Sequence, residues 1–466
     1  MRGHARRLTG LRPALLALVV VLSACAPRPK TGDPAARAAA SASVALPAMR
    51  QFPAPRPVAP QRANRDILRD FLDLSFAMES GRALPYFSRF EEPVTVRLAG
   101  APSAVLAADL DRLIRRLRAE AGLDIRRVTG REAHITVEVV SRAQIRRHVP
   151  NAACFVVPNI SRLAEYRQAR TLSLTDWTRI ARRERVAIFV PGDSSPQEAR
   201  DCLHEELAQA LGPLNDLYRV ADSVFNDDNV HAVLTGFDML ILRAYYAPEL
   251  ASGMTRAEVA ARLPAILGRL NPQGARIPPR DQVPTPRAWT EAIQTAFGPG
   301  TRPAARRSAA TRALRIARGA GLDDHRLGFS HFAVGKLMQA REPERAQAHF
   351  IAADRAYRRS PGTELHRAHV AVHLASDTLS EGRARDALAR IEPHLETAER
   401  HENAALLATL LMLQADALEM TGQGDAARRV RLDSLAWARY GFGLSVAVPV
   451  AAMRARPGQP GSKPEG

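Results

Sequence analysis

The apolar positions of this chain follow two different periods, and the switches between them mark out its elements. Between residues 64 and 79, Ile67, Leu68, Phe71, Leu72, Leu74, Phe76 and Met78 fall mostly three or four apart, which is the spacing of one helix face. The stretch from Val94 to Leu98 alternates apolar and polar residues, as a half-buried strand does. Leu106, Leu110, Leu113, Ile114 and Leu117 return to the helical period over residues 103–120. Residues 135–140 form a second strand pattern, and residues 154–157 and 186–190 are short apolar strands, each followed by Pro. Ser195-Pro196-Gln197-Glu198 then supplies an N-cap, a Pro at the first helical position and an acid at the third. The helix so opened is expected to run to about Leu211 and stop at Gly212. Residues 63–250 therefore predict a mixed domain of the α+β class. Beyond it, Thr255 and Glu258 make a capping box, and Thr285-Pro286 places Pro at a helix start, so residues 251–305 predict two connecting helices. Residues 306–440 predict an all-α domain of helical repeats.

The two ends of the chain lack such patterns. Residues 25–62 are rich in Ala, Pro and Arg and predict a disordered tether, and residues 441–466 predict a flexible tail. Residues 1–24 form a signal peptide pattern: Arg2, Arg6, Arg7 and Arg12 precede an apolar run over residues 13–22. Ten helical residues span only about 15 Å, too short for a hydrocarbon core of about 30 Å. The segment ends Leu22-Ser23-Ala24-Cys25, which resembles a bacterial lipobox, with Cys25 as the lipidated residue and the membrane as its partner. Resemblance to lipoprotein sorting, with Ala26 rather than Asp after Cys25, implies the periplasmic face of the outer membrane.

Composition narrows the classes. Hydrophobic residues at 46% and charged residues at 24% exclude wholesale disorder and a multi-pass membrane protein. Net charge is +18, and almost all of it is Arg, since Lys occurs only at Lys30, Lys336 and Lys463. Loss of residues 1–24 removes four Arg and no acid, leaving +14. The Arg residues are scattered rather than interleaved with aromatics, so no nucleic-acid partner is expected. Once Cys25 carries lipid, Cys154 and Cys202 are the remaining pair, and an oxidising periplasm makes them natural disulfide partners.

One helix carries a pattern with chemistry in it. From Glu205 the chain reads Glu205-Glu206-Leu-Ala-Gln209-Ala-Leu-Gly212-Pro-Leu-Asn215-Asp216. This resembles the extended zinc-protease pattern of the metzincins, His-Glu-x-x-His-x-x-Gly-x-x-His/Asp, in register but with both helical His replaced. In that pattern two ligands one turn apart hold zinc, and the Glu polarises a water. The resemblance puts Glu205, Gln209 and Asn215 at the metal-ligand places, Glu206 at the general-base place and Gly212 at the turn. Downstream, Ser223, Phe225 and Asn226 lie where metzincins place their Met-turn. Leu234-Thr235, Asp238, Leu240, Leu242 and Tyr245-Tyr246 resemble the closing helix. The same stretch also resembles an uncharacterised proteobacterial lipoprotein family, domain of unknown function 2927. No activity comes with that family.

The departures set the expectations. Zinc prefers nitrogen and sulfur, whereas Glu205, Gln209 and Asn215 offer oxygens of which only one is charged. No cofactor is therefore expected. A divalent hard cation is the alternative, with Asp216, Asp227 and Asp228 supplying the missing carboxylates. His204 offers a His-Glu-x-x-His reading that fails because residue 208 is Ala, and it reads as a packing residue; His231 also reads as structural. Without metal, Glu205, Gln209 and Asn215 are expected to form a hydrogen-bond network that pins the turn at Gly212.

In the helical region Ala375, Gly382 and Ala387 recur as Ala415, Gly422 and Ala427, offset by forty, with a weaker copy at Ala346, Phe350 and Ala353. This is similar to tetratricopeptide-type repeats with lengthened helices, and implies a docking module. The chain is thus expected to be a lipid-anchored periplasmic pseudo-metallopeptidase that binds or scaffolds an envelope protein or peptide. The alternative is an atypical metal-dependent hydrolase of peptide or peptidoglycan-like bonds, with Glu206 as general base.

Overall fold

The computed structural model describes residues 46–53, 58–130, 132–170 and 173–443. Cys25, the signal segment and residues 444–466 lie outside the described residues. In the first half, α1 (Asn64–Ser75), β1 (Val94–Gly100), α2 (Ala104–Glu120), β2 (Ile125–Arg127) and β3 (Ile135–Val140) come in that order. They are followed by α3 (Arg142–His148), β4 (Phe155–Pro158), α4 (Leu163–Ala169), β5 (Val186–Pro191), α5 (Pro196–Leu211), α6 (Gly236–Tyr245) and α7 (Arg256–Leu270). The five strands form one sheet in the order β2-β1-β3-β5-β4. All neighbours are parallel except the edge strand β4, which runs antiparallel to β5 with Val156 opposite Ile188.

β5 is buried along its whole length and splits its side chains by alternation. Val186, Ile188 and Val190 join the main core with α1, α2, α5, α6 and α7, whereas Ala187 and Phe189 pack with Val157, Ile160 and Leu163 on the opposite face. The main core continues through Val259, Leu263, Ile266 and Leu267 of α7, past the boundary expected at residue 250. Cys154, just before β4, is disulfide-bonded to Cys202 in α5. Closing a loop of 48 residues in this way stabilises the fold by about 4 kcal/mol in the chain-entropy model.

Several expectations need adjustment. α1 ends at Ser75, because the chain then turns and Ala77 pairs with Ala83 in an isolated antiparallel bridge. The short elements β2, α3 and α4 carry too few buried residues for a period: Ile125 in β2, Ile145 in α3, and Leu163 and Ala169 in α4. Pro286 is the N-cap of its helix rather than its first residue.

The second half is helical: α8 (Arg287–Phe297), α9 (Pro303–Gly319), α10 (His325–Met338), α11 (Pro343–Arg359), α12 (Glu364–Ser380), α13 (Ala384–Arg400), α14 (Ala404–Met420) and α15 (Gly424–Gly441). The forty-residue offset appears as the pairs α12–α13 and α14–α15. Gly382 and Gly422 take φ of 79° and 80° in the two hairpin turns, a left-handed backbone that glycine adopts without strain. Ala375, Ala387, Ala415 and Ala427 are buried where the paired helices meet. The array is joined to the sheet domain by polar contacts. Gln197 Nε2 donates to Asn403 Oδ1 at 3.1 Å, the Ala405 N–H donates to Gln197 Oε1 at 2.9 Å, and Tyr440 donates to Asp109 at 2.7 Å.

Residues 47–53, expected within a disordered tether, instead lie along α15. The Phe52 ring stacks on Trp437 at 4.4 Å, the Arg50 N–H donates to the Ala436 carbonyl, and Arg439 donates to the Pro47 carbonyl at 2.6 Å. One aromatic residue in a Pro-rich run leaves no period, so its burial against a distant helix is invisible in the sequence. Among the described residues no helix is long and apolar enough to cross a membrane.

Candidate functional site

α5 begins where Ser195 Oγ accepts from the Glu198 N–H at 3.2 Å, and it ends at Gly212. Its C-terminal carbonyls would otherwise be unpaired, and Arg183 takes them: Nη1 donates to the carbonyls of Gln209 (2.6 Å) and Ala210 (2.8 Å), and Nη2 to that of Gly212. Tyr246 adds a hydrogen bond to the Leu211 carbonyl at 2.9 Å. A Cβ at Gly212 would come within 3.1 Å of the Tyr245 ring, which would then have to give by a few tenths of an ångström. The chain then turns back, and the Leu214 N–H bonds the Leu74 carbonyl.

The expected network of Glu205, Gln209 and Asn215 is not what pins this turn. Gln209 Nε2 donates to Glu79 at 3.4 Å, and Asn215 Nδ2 donates to the Asp73 carbonyl at 2.9 Å, so the two amides serve different partners. Arg183 does the pinning. Its guanidinium matches several carbonyls at once, and nothing in the spacing of a residue so far upstream announces that.

What gathers at this end of α5 is acid. Glu205, Glu206, Asp216 and Asp227 act on one another and on Glu79. Burial, then the charges of Glu79, Asp227 and Asp201, pushes the Glu205 carboxyl up to about 8. Burial, followed by Glu205 and Glu79, raises Glu206 well above the ordinary carboxylate range. Asp216 is raised by burial and by Glu79, Glu205, Asp227 and Glu206. Glu79 is exposed as a residue, yet its carboxyl is also raised, by partial burial and by Asp227, against hydrogen bonds from Gln209 and Asp216. Asp227 accepts from the Tyr218 hydroxyl at 2.7 Å and from Gln294 at 3.4 Å. Glu206 is only 5% exposed, and its Oε2 has no hydrogen-bond partner among the described residues; Asp216 Oδ1 is likewise buried without one.

Asp228 does not join them, contrary to expectation. Its carboxylate turns into the core, where Oδ2 lies 2.8 Å from His366 Nε2 and accepts from Asn226 Nδ2 at 2.9 Å. Asn226 also donates to the Val220 carbonyl, and Phe225 is fully buried, so these two residues hold the turn beneath the cluster. Ser223 Oγ donates to Asp238 at 2.5 Å, tying that turn to the capping box of α6. His204 is buried and accepts from the Leu234 N–H at Nδ1, a packing role. His231 packs against His366 and His401, in a histidine cluster between the sheet domain and the helical array. Glu79 escaped the sequence reading. It stands alone in a Met-Glu-Ser-Gly turn, with no spacing relative to α5 that would single it out.

The donor set is a poor one for zinc: Glu205, Gln209 and Asn215 offer only oxygen, and two of the three are neutral amides. Among the described residues no group of three or more His, Cys, Asp or Glu side chains is arranged to hold a metal ion. A cavity of about 760 Å³ lies elsewhere, beside Arg62, Asp222, Thr235, His325, Gly362 and His401.

Residues 64–265 match a family model described as protein of unknown function, DUF2927, so this part of the chain is an uncharacterised domain of unknown function. The match covers α1 through most of α7 and leaves the helical array outside it. No curated protein and no solved structure matches the chain.

Proposed function

We propose that the sheet domain is a metzincin-like domain that has lost its metal shell and works as a binding module at the cell envelope. The observation that carries this reading is the end of α5. The three positions at the ligand places hold Glu205, Gln209 and Asn215, which offer oxygens alone, only one of the three side chains able to carry charge. Glu206, at the general-base place, faces other carboxylates. The sheet order, with a single antiparallel edge strand beside the strand that feeds α5, supports the metzincin likeness. The forty-residue helical hairpins with small residues at their contacts support a tetratricopeptide-like docking module. Lipidation at Cys25 places the module on the periplasmic face of the outer membrane, with an envelope protein or peptide as partner.

The test is elemental analysis of the mature protein after mild purification, paired with a peptidase assay. We expect less than about one zinc per ten chains, because two amides and one carboxylate make a weak shell. Glu206→Gln is then expected to leave the fold intact, with no hydrolysis to lose. Stoichiometric metal, with a hydrolytic activity abolished both by chelator and by Glu206→Gln, would move the assignment to the hydrolase with Glu206 as base.

A further inference from the structure

The cavity of about 760 Å³ is walled by parts that meet only in the folded chain: residues 58–63, α2, the start of α6, the connector over residues 277–283 and the hairpin between α11 and α12. Its volume is that of an ordinary ligand pocket, roughly 300–1,000 Å³. Arg280, Asp281, Asp323, Glu364 and Arg400 line it and are exposed, which places its mouth at the surface. Ala63, Arg116, His231 and Leu234 line it and are buried, and they form its inner wall. On that wall Arg116 is 7% exposed. Its Nε and Nη2 donate to Glu120, and Nη2 also donates to the Leu234 carbonyl at 2.9 Å, but Nη1 is buried with no hydrogen-bond partner among the described residues. His231 Nε2 is likewise buried without one. A buried donor without an acceptor is costly. α1 and α12 both start at this cavity, through Ala63 and Glu364, and neither start has a side-chain cap. The first-turn N–H groups of such helices favour negative charge. The rim carries both signs. Among the described residues, Asp281, Asp323 and Glu364 pair with no Arg or Lys, and Arg280 and Arg359 pair with no carboxylate.

We propose that this cavity binds a short zwitterionic peptide, with its C-terminal carboxylate against Arg116 and the starts of α1 and α12, and its ammonium among Asp281, Asp323 and Glu364 at the mouth. The proposal goes beyond the reading of α5 and does not rest on it, since no residue at the end of α5 lines the cavity. A carboxylate supplies the acceptor that Arg116 Nη1 lacks, in a charge-assisted hydrogen bond. A peptide group carries both a donor and an acceptor, so it meets His231 Nε2 in either tautomer of the ring. An ammonium offers three donors to the acids of the rim. The lining holds six Arg and seven acidic residues, so a polyanion or a polycation meets as much repulsion as attraction there. A ligand with one charge of each sign does not. Val58, Val233, Phe237 and Ile277 give such a peptide apolar contact along the wall.

The test is calorimetric titration of the mature protein with trialanine at about 150 mM salt, where attraction between exposed charges is screened. Saturable binding at one site is expected, weakened at least about tenfold for N-acetyl-trialanine and for trialanine amide, a loss of about 1.4 kcal/mol each. Arg116→Gln is expected to weaken trialanine by a similar factor and to leave the amide, which has no carboxylate to lose, as it was. A merely structural loss would weaken both. Asp323→Asn/Glu364→Gln changes only the exposed rim, and is expected to weaken trialanine but not its N-acetyl form. Glu392→Gln, exposed on α13, is expected to bind as the parent does. Absence of saturable trialanine binding up to about 10 mM, beyond the roughly 1 mM that marks weak affinity, would overturn the proposal. So would equal binding of free and capped peptides, equal binding by the parent and the rim variant, or inorganic phosphate that expels trialanine at micromolar concentration. The outcomes separate from those of the preceding test. A metal-free, inactive protein that ignores trialanine retains the reading of α5 and loses this one. A metal-dependent peptidase that binds trialanine through Arg116 and the rim does the reverse.

Discussion

At Glu205, a carboxyl pushed up to about 8 by burial and by its acidic neighbours holds a proton that the unfolded chain releases near pH 4 to 5. The folded state therefore binds the extra proton between those values. Its contribution to stability is full below the unfolded value and is lost as pH rises through about 8. Glu206 and Asp216 act in the same direction. Thermal unfolding is expected to show Tm falling from pH 6.5 to 9. Glu205→Gln, which cannot ionise, should flatten that limb and exceed the parent by at least about 1.4 kcal/mol above pH 8, the worth of one pKa unit. A parallel fall in both proteins would mean that Glu205 is not the group responsible. The positions of Glu205 and Glu206 were legible in the sequence because a helix places residues by counting, and that of Asp216 came only from the resemblance of the turn that follows. Glu79 was not, because a lone turn residue reaches its neighbours only through the fold.

Among the elements, α5 is the one whose two ends were read very differently. Its start follows from local chemistry: Ser195, Pro196 and Glu198 cap it with their own atoms, and the helix begins at Pro196 as the spacing predicts. Its far end depends on Arg183, which is buried on the loop before β5 and bonds carbonyls at Gln209, Ala210 and Gly212. Arg183→Met keeps the length of the side chain and removes the donors. It is expected to cost about 2–4 kcal/mol in urea unfolding, since several buried carbonyls lose their partners. A cost under about 0.5 kcal/mol, the range of ordinary surface substitutions, would show that water replaces the guanidinium freely. The same contrast holds across the sheet. β3 and β5 announce themselves by apolar runs, whereas β2, with one buried residue, is a strand only because β1 lies beside it.

The whole molecule is joined through a buried histidine cluster. His325, His369 and His401 are each lowered to about 4, and His231 falls well below its ordinary value. Burial is the leading cause in each; Arg400 lowers His401 further and Lys336 lowers His369, while Asp324 opposes the shift of His325. Here the unfolded chain binds the protons first. Stability contributed by the neutral rings is present above about pH 6.5 and is lost as pH falls toward about 4. Opposed to the carboxyl cluster, this places the stability maximum near pH 6 to 7. Below it, the contact between sheet domain and helical array is expected to open first. Hydrogen exchange at pH 5 should rise in α12 and in residues 228–234 before it rises in β3 and β5. Uniform exchange across both halves would assign the acid limb to global unfolding instead.

The sequence by itself determined what depends on near neighbours: the starts of α5 and α7, the register of Glu205 to Gln209 along α5, the strand patterns of β3 and β5, and the forty-residue hairpins. These are set by backbone geometry within a few residues, so counting recovers them. It also pointed to the Cys154–Cys202 pair, on the expectation that lipid takes Cys25, the third cysteine. The tertiary structure decided which distant groups share a space. It brought Glu79 to the acids of α5, turned Asp228 away to His366, gave Arg183 the end of the helix and laid Phe52 on Trp437. Each of those contacts joins segments far apart in the chain. Their energies come from burial and charge in a shared volume, and no periodicity along the sequence records which segments will share it.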